Sequence, residues 1–210
     1  MSDGRPPGDS ADGGADADDL AALLATHLRR QLAPGDLVAL RAAHAAARDS
    51  AGGPDLPVVC RADRRLAAVT LPAEFRESAT RTGGRLLSLQ RELRTDPVVD
   101  AYAAAVDDGE VPGAYPVVLG VVAARAGVGE RRTCLVACQE FATAFVGAAQ
   151  RLLQLGHTET QRVLVECQPA MAAAVADSDG RSLDEMAPFA PLVDVHSAAH
   201  ERADRRLFLS

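Results

Sequence analysis

Apolar residues recur at helical spacing along most of this chain, and the breaks between runs carry proline, glycine or a capping residue. Leu20, Leu23, Leu24, Leu28 and Leu32 predict one apolar face on a helix from Asp18 onward, with Arg29 and Arg30 opposite. Pro34-Gly35 stops that helix, and Asp36 can cap a second one that runs to about Arg48. Residues 50–57 read as a loop, and residues 63–69 as a short helix. Pro72 opens a longer helix with Phe75, Ala79, Leu86, Leu87 and Leu89 on its apolar positions and Gly83-Gly84 in its middle. Each glycine there weakens the helix by about 1 kcal/mol relative to alanine, which is tolerable where another helix crosses closely.

Asp96-Pro97 combines an N-cap with proline at the first helical position. Residues 112–116 form a turn. Residues 117–124 are β-branched enough for a strand, but no partner strand is evident, so they are assigned to a buried helix. The run 131–155 is the most periodic helix, with Cys134, Cys138, Phe141, Phe145, Ala148 and Leu152 along one stripe. Gly156 ends it. Thr158 with Gln161 resembles a capping box for the next helix, which Pro169 then kinks or ends. Ser182 with Glu185 marks a C-terminal helical region, interrupted by Pro188 and Pro191. Residues 1–17 are rich in Gly, Pro, Ser and Asp and read as a disordered leader. The expectation is an all-α fold: one multi-helix bundle over residues 18–210 behind that leader.

Composition supports this. Hydrophobic residues make up 48% of the chain but aromatics only 3%, with no tryptophan, so alanine, leucine and valine must build the core. A net charge of −7 argues against nonspecific nucleic-acid binding. The longest apolar run is far short of the roughly 20 residues that span a bilayer. With no secretory signal and four cysteines at unpaired spacings, a cytoplasmic protein with reduced thiols is expected.

Candidate chemistry is sparse. Cys134 and Cys138 could share a soft metal, but they lie on the stripe of Phe141 and Phe145, where buried cysteine acts as a small hydrophobe. Cys167, on the stripe of Leu164 and Met171, reads the same way. His196 and His200 are four apart with Glu201 beside the second. A zinc-protease helix needs glutamate directly after the first histidine, where this chain has Ser197. No metal site is assigned, and these two histidines stay as candidates for one. His27, His44 and His157 are isolated. No phosphate loop and no nucleophile–base set is found, so no catalytic residue is assigned. The chain instead ends in Arg206-Leu207-Phe208-Leu209-Ser210, an apolar terminus that must be covered either by its own bundle or by a partner.

Several segments, in order, resemble the urease accessory protein UreF family. Asp194, Ser197, His200-Glu201 and Arg206-Leu207-Phe208-Leu209-Ser210 resemble its C-terminal pattern. The segment from Leu155-Gly156-His157 to Gln161 resembles its Leu-Gly-Gln-x-x-x-Gln. Gly113-Ala114-Tyr115-Pro116-Val117-Val118 resembles its Gly-His-x-Pro-Val-Val, with Ala114 in the histidine place. Leu71-Pro72, Arg76, Ser78, Ala79 and Gly83 resemble a further stretch. The family's opening Leu-Pro-x-Gly signature has no counterpart here.

The resemblance implies an all-α, homodimeric, nonenzymatic protein. Such a protein binds UreD (UreH), recruits or modulates the GTPase UreG, and serves nickel insertion into apo-urease. Nickel is then delivered cargo rather than a stably bound cofactor. His200, Glu201, Arg206, Leu207, Phe208 and Ser210 become the expected partner-binding residues. Arg76, Gly83, Gly156 and Gln161 become structural or interface positions: Gly83 for a close crossing, Arg76 for an ion pair. Two other readings stay open: a nickel-binding chaperone using His196 and His200, and a helical interaction protein without a role in urease maturation.

Overall fold

The computed structural model describes residues 12–48, 52–153 and 155–189. These residues form helices joined by turns and short linkers, with no strand among them. Helix α1 (Asp12–His27) continues through a π-helical turn (Leu28–Leu32) to the Pro34-Gly35 break. Then follow α2 (Asp36–Ala47), α3 (Leu56–Val69), α4 (Ala73–Leu93), α5 (Pro97–Asp107), α6 (Tyr115–Arg125) and α7 (Glu130–Leu153). The described chain closes with α8 (His157–Glu166), α9 (Gln168–Asp177) and a 3₁₀ turn (Leu183–Glu185).

Helix α2 lies between two apolar clusters. Val38, Ala39, Ala43 and Ala47 pack with α3, α5 and α6. Leu37 and Leu40 pack with α1, α7, α8 and α9. Gly120 lets α6 cross α2 closely, since a Cβ there would lie 2.5 Å from the Leu40 carbonyl oxygen. The segment 117–124 is therefore helical and buried, as expected for an apolar run without a strand partner.

Several boundaries differ from the sequence reading. Helix α1 begins at Asp12, within the stretch read as leader, and Ala17 is already buried. Leu20, Leu24, Leu28 and Leu32 are buried, but Leu23 is 49% exposed and leaves the predicted face. Gly35, not Asp36, precedes α2, and Asp36 occupies its first position. Helix α3 begins seven residues earlier than expected, where Asp55 caps Val58 N–H at 3.1 Å and Pro57 sits in the first turn. Helix α8 starts after Gly156, whose N–H donates to Glu159 at 2.7 Å, so the cap lies two residues before the Thr158/Gln161 pair. On α7 the buried stripe is Cys134, Cys138, Ala142 and Val146, with Ala148 exposed. Ser182 and Glu185 do pair, but they start a 3₁₀ turn rather than a helix.

Candidate interaction site

The turn ahead of α6 is the most strongly built polar feature. Asp63 on α3 is fully buried. Its carboxylate accepts from the Tyr102 hydroxyl at 2.7 Å, Gly113 N–H at 2.7 Å and Ala114 N–H at 3.0 Å. Burial raises the Asp63 carboxyl above its ordinary value, while these donors oppose the rise. Above the same turn passes α4, where a Cβ on Gly83 would sit 2.0 Å from the Gly113 carbonyl oxygen. The close approach expected at Gly83 is thus to the 113–115 backbone, and Gly84 faces open space. Next in sequence, the Tyr115 hydroxyl donates to Glu140 on α7.

A second cluster ties α2 to the C-terminal part. The Arg41 guanidinium donates to Val175 C=O at 2.8 Å, Ser178 Oγ at 3.0 Å and Asp179 at 3.0 Å, and also pairs with Glu130. Likewise Arg125 pairs with Asp96 at 2.8 Å and reaches Ala47 C=O at 3.3 Å. Asp96 meanwhile caps α5 through Val98 and Val99 N–H. His44 is buried with Nε2 on Val128 C=O at 2.7 Å, so Nε2 carries the proton. Its Nδ1 is buried without a hydrogen-bond partner.

Among the described residues, the remaining predicted positions lie on or beside α4, α7 and α8. Arg76 donates to Thr70 C=O at 2.7 Å and Leu71 C=O at 2.5 Å, fastening the α3–α4 corner through carbonyls, and makes no ion pair among the described residues. Gly156 starts α8, and Gln161 is exposed on it. Cys134 and Cys138 are buried, and burial pushes their thiols up to about 11 and about 12, as core-packing thiols require. No group of three metal-ligating side chains occurs among the described residues. His196, His200, Glu201, Arg206, Leu207, Phe208 and Ser210 lie outside the described residues, as does the Pro191 break. Among the described residues, apolar surface is exposed at a groove of about 300 Å³ lined by Leu135, Val136, Gln139, Gln168 and Met171, and at Leu71, Phe75, Leu89 and Leu93 on and beside α4.

Asp63 and Arg41 were not singled out by sequence reasoning. For Asp63 the signal was present. It occupies a core position on α3 between Cys60 and Leu66, where an acid must have buried donors. Arg41 gave no such signal, because its partners lie 89 to 138 residues away.

The fold and these clusters define an all-helical protein whose best-built polar groups hold turns and corners. The UreF family model matches residues 14–168, and the chain belongs to the UreF family. Over 180 residues it is 31% identical to the urease accessory protein UreF 1 of Brucella melitensis biotype 1, covering 86% of this chain and 73% of that one. UreF 2 of Brucella canis is 31% identical over 86% of this chain and 72% of its own. UreF of Yersinia enterocolitica is 30% identical over 150 residues, 71% of this chain and 66% of that one. The family is one of accessory proteins, not enzymes. No described helix is long and apolar enough to cross a membrane.

Proposed function

We propose that this protein is a scaffold in urease maturation. It binds a UreD (UreH) partner and recruits or modulates the GTPase UreG, so that nickel reaches apo-urease as cargo. It acts in the cytoplasm as a homodimer and holds no resident cofactor. The observation that carries this reading is the family match across 14–168, which runs through the Asp63–Tyr102 turn and the Gly83 crossing.

The terminal residues His200, Glu201, Arg206, Leu207, Phe208 and Ser210 supply the partner contact. Leu207 and Phe208 act as apolar anchors, each worth roughly 1.5–3 kcal/mol if fully buried, and Arg206 provides a forked donor. The test is complementation of a UreF deletion, scored by urease activity, together with capture of UreD by the full chain. Restored activity that disappears on deleting residues 206–210 is expected. Absence of complementation by the intact chain refutes the role.

A further inference from the structure

Pro34 has no N–H. The α-helical donor for the Arg30 carbonyl, four residues on, is therefore missing. Gly35 N–H, which a π-helical register would direct there, goes instead to Leu32 C=O at 3.4 Å. The Arg30 carbonyl is taken by Phe189 N–H, 159 residues further along the chain, at 2.9 Å. Two residues before it, Ala187 N–H donates to Pro34 C=O at 3.2 Å. Between them Pro188 rests on Gly35, where an added Cβ would lie 3.2 Å from the Pro188 Cβ. The helix break is thus also a receptor for residues 187–189.

The upstream side of this strap is also fastened. Leu183 and Met186 are buried in the cluster shared with α3 and α6. Arg65 on α3 donates to Leu183 C=O at 3.2 Å and Met186 C=O at 3.5 Å. Downstream, Phe189 itself is 66% exposed, and residues 190–210 follow it. Its side chain is spared from the core, so what holds residue 189 is its backbone donor.

We propose that residues 186–189 form a positioning strap, anchored on the carbonyls of Arg30 and Pro34. The strap fixes residue 189, from which the docking segment of the proposed function continues, at the corner between α1 and α2. This rests on the proposed function for the partner's identity. Fixing the root of a tether confines the volume its end explores and reduces the ordering cost of docking. Phe189 and Pro34 are the positioning residues, and neither is required to touch the partner.

The test uses the full chain with UreD as the probe. Phe189→Pro deletes the donor, Phe189→Leu retains it, and Pro34→Ala supplies an N–H four residues beyond Arg30. Amide exchange is read at Ala187 (at Phe189 also in the Pro34 variant), and UreD affinity is measured alongside. Phe189→Leu should match the wild type in both. Phe189→Pro should lose protection at Ala187 and bind UreD about tenfold more weakly, with exchange in α2 and α6 unchanged. If Phe189→Pro perturbs those helices, Pro34→Ala decides: faster exchange at Phe189 with weaker binding supports the strap. Lost protection with unaltered affinity, or unaltered protection in both variants, overturns it. A wild-type chain that is protected at Phe189 yet does not capture UreD overturns the proposed function, and the strap's role falls with it.

Discussion

Replacing Asp63 by alanine removes the acceptor of three buried donors at once: the Tyr102 hydroxyl and the N–H groups of Gly113 and Ala114. A buried donor left without a partner costs about 1–3 kcal/mol. The full sum is an upper bound, because water can enter the space vacated and the buried carboxylate's own desolvation cost disappears. A net loss of about 3–5 kcal/mol follows. For a domain of this size, 1 kcal/mol moves the thermal midpoint by about 2–4 °C. The expected fall is therefore roughly 6–20 °C by far-UV circular dichroism. The sharper test is a sign. Tyr102→Phe alone deletes a good hydrogen bond and destabilises by about 1 kcal/mol. In the Asp63→Ala background the hydroxyl is already stranded, so the same change becomes neutral or stabilising. Equal destabilisation in both backgrounds, or a midpoint shift below about 2 °C for Asp63→Ala, refutes the network.

Gly83→Ala places a Cβ 2.0 Å from backbone, which cannot swing aside, and should lower stability by about 1–3 kcal/mol or more in urea unfolding. Gly84→Ala meets nothing within 4 Å and should raise it by about 0.5–1 kcal/mol; equal effects at the two sites contradict the crossing geometry. Asp36 is half-buried, and burial pushes its carboxyl from 3.8 up to about 7. The folded state then holds the proton more tightly, so stability declines as pH rises from about 4 towards 7 and levels off above. Asp36→Asn should be neutral near the low end and stabilise by about 1–2 kcal/mol above the high end, after discounting for partial exposure and the favourable helix N-terminus. A gain of the same size at both ends contradicts the assignment.

What was legible in the sequence was local. Asp96-Pro97 needs only Val98 and Val99 to act as a cap, so four residues contain the whole signal. Asp55 with Pro57 carries the same kind of signal, yet it was absorbed into a loop because Gly52, Gly53 and Pro54 precede it. The misassigned Leu23 has a geometric origin. Leucines exactly four apart drift by about 40° per step on a helix of 3.6 residues per turn, so adding Leu23 suits an ordinary helix. The wider π-helical turn from Leu28 to Leu32 unwinds that drift over its own step and keeps Leu32 on the buried side with Leu28. Nothing in the pattern of apolar positions announces such a turn. For the interaction site, Asp63 left a local trace as an acid at a core position of α3, whereas the partners of Arg41 and of residues 187–189 lie far away in the chain.

Those distant pairs have one geometric consequence. The segment after α9 is held from three directions, and each hold involves α2 or a neighbour packed on it. Arg41, on α2, grips Val175, Ser178 and Asp179. From α3, which packs on α2, Arg65 grips Leu183 and Met186. Pro34 and Arg30, directly before α2, take Ala187 and Phe189. A shift of α2 along its axis would carry Arg41 and the adjoining 30–35 corner with it, so two of the three holds would move together. Interiors this closely packed, with Gly120 admitting α6 to within contact of the α2 backbone, resist such shifts. The path of residues 178–189 over the bundle is therefore tied to the position of α2.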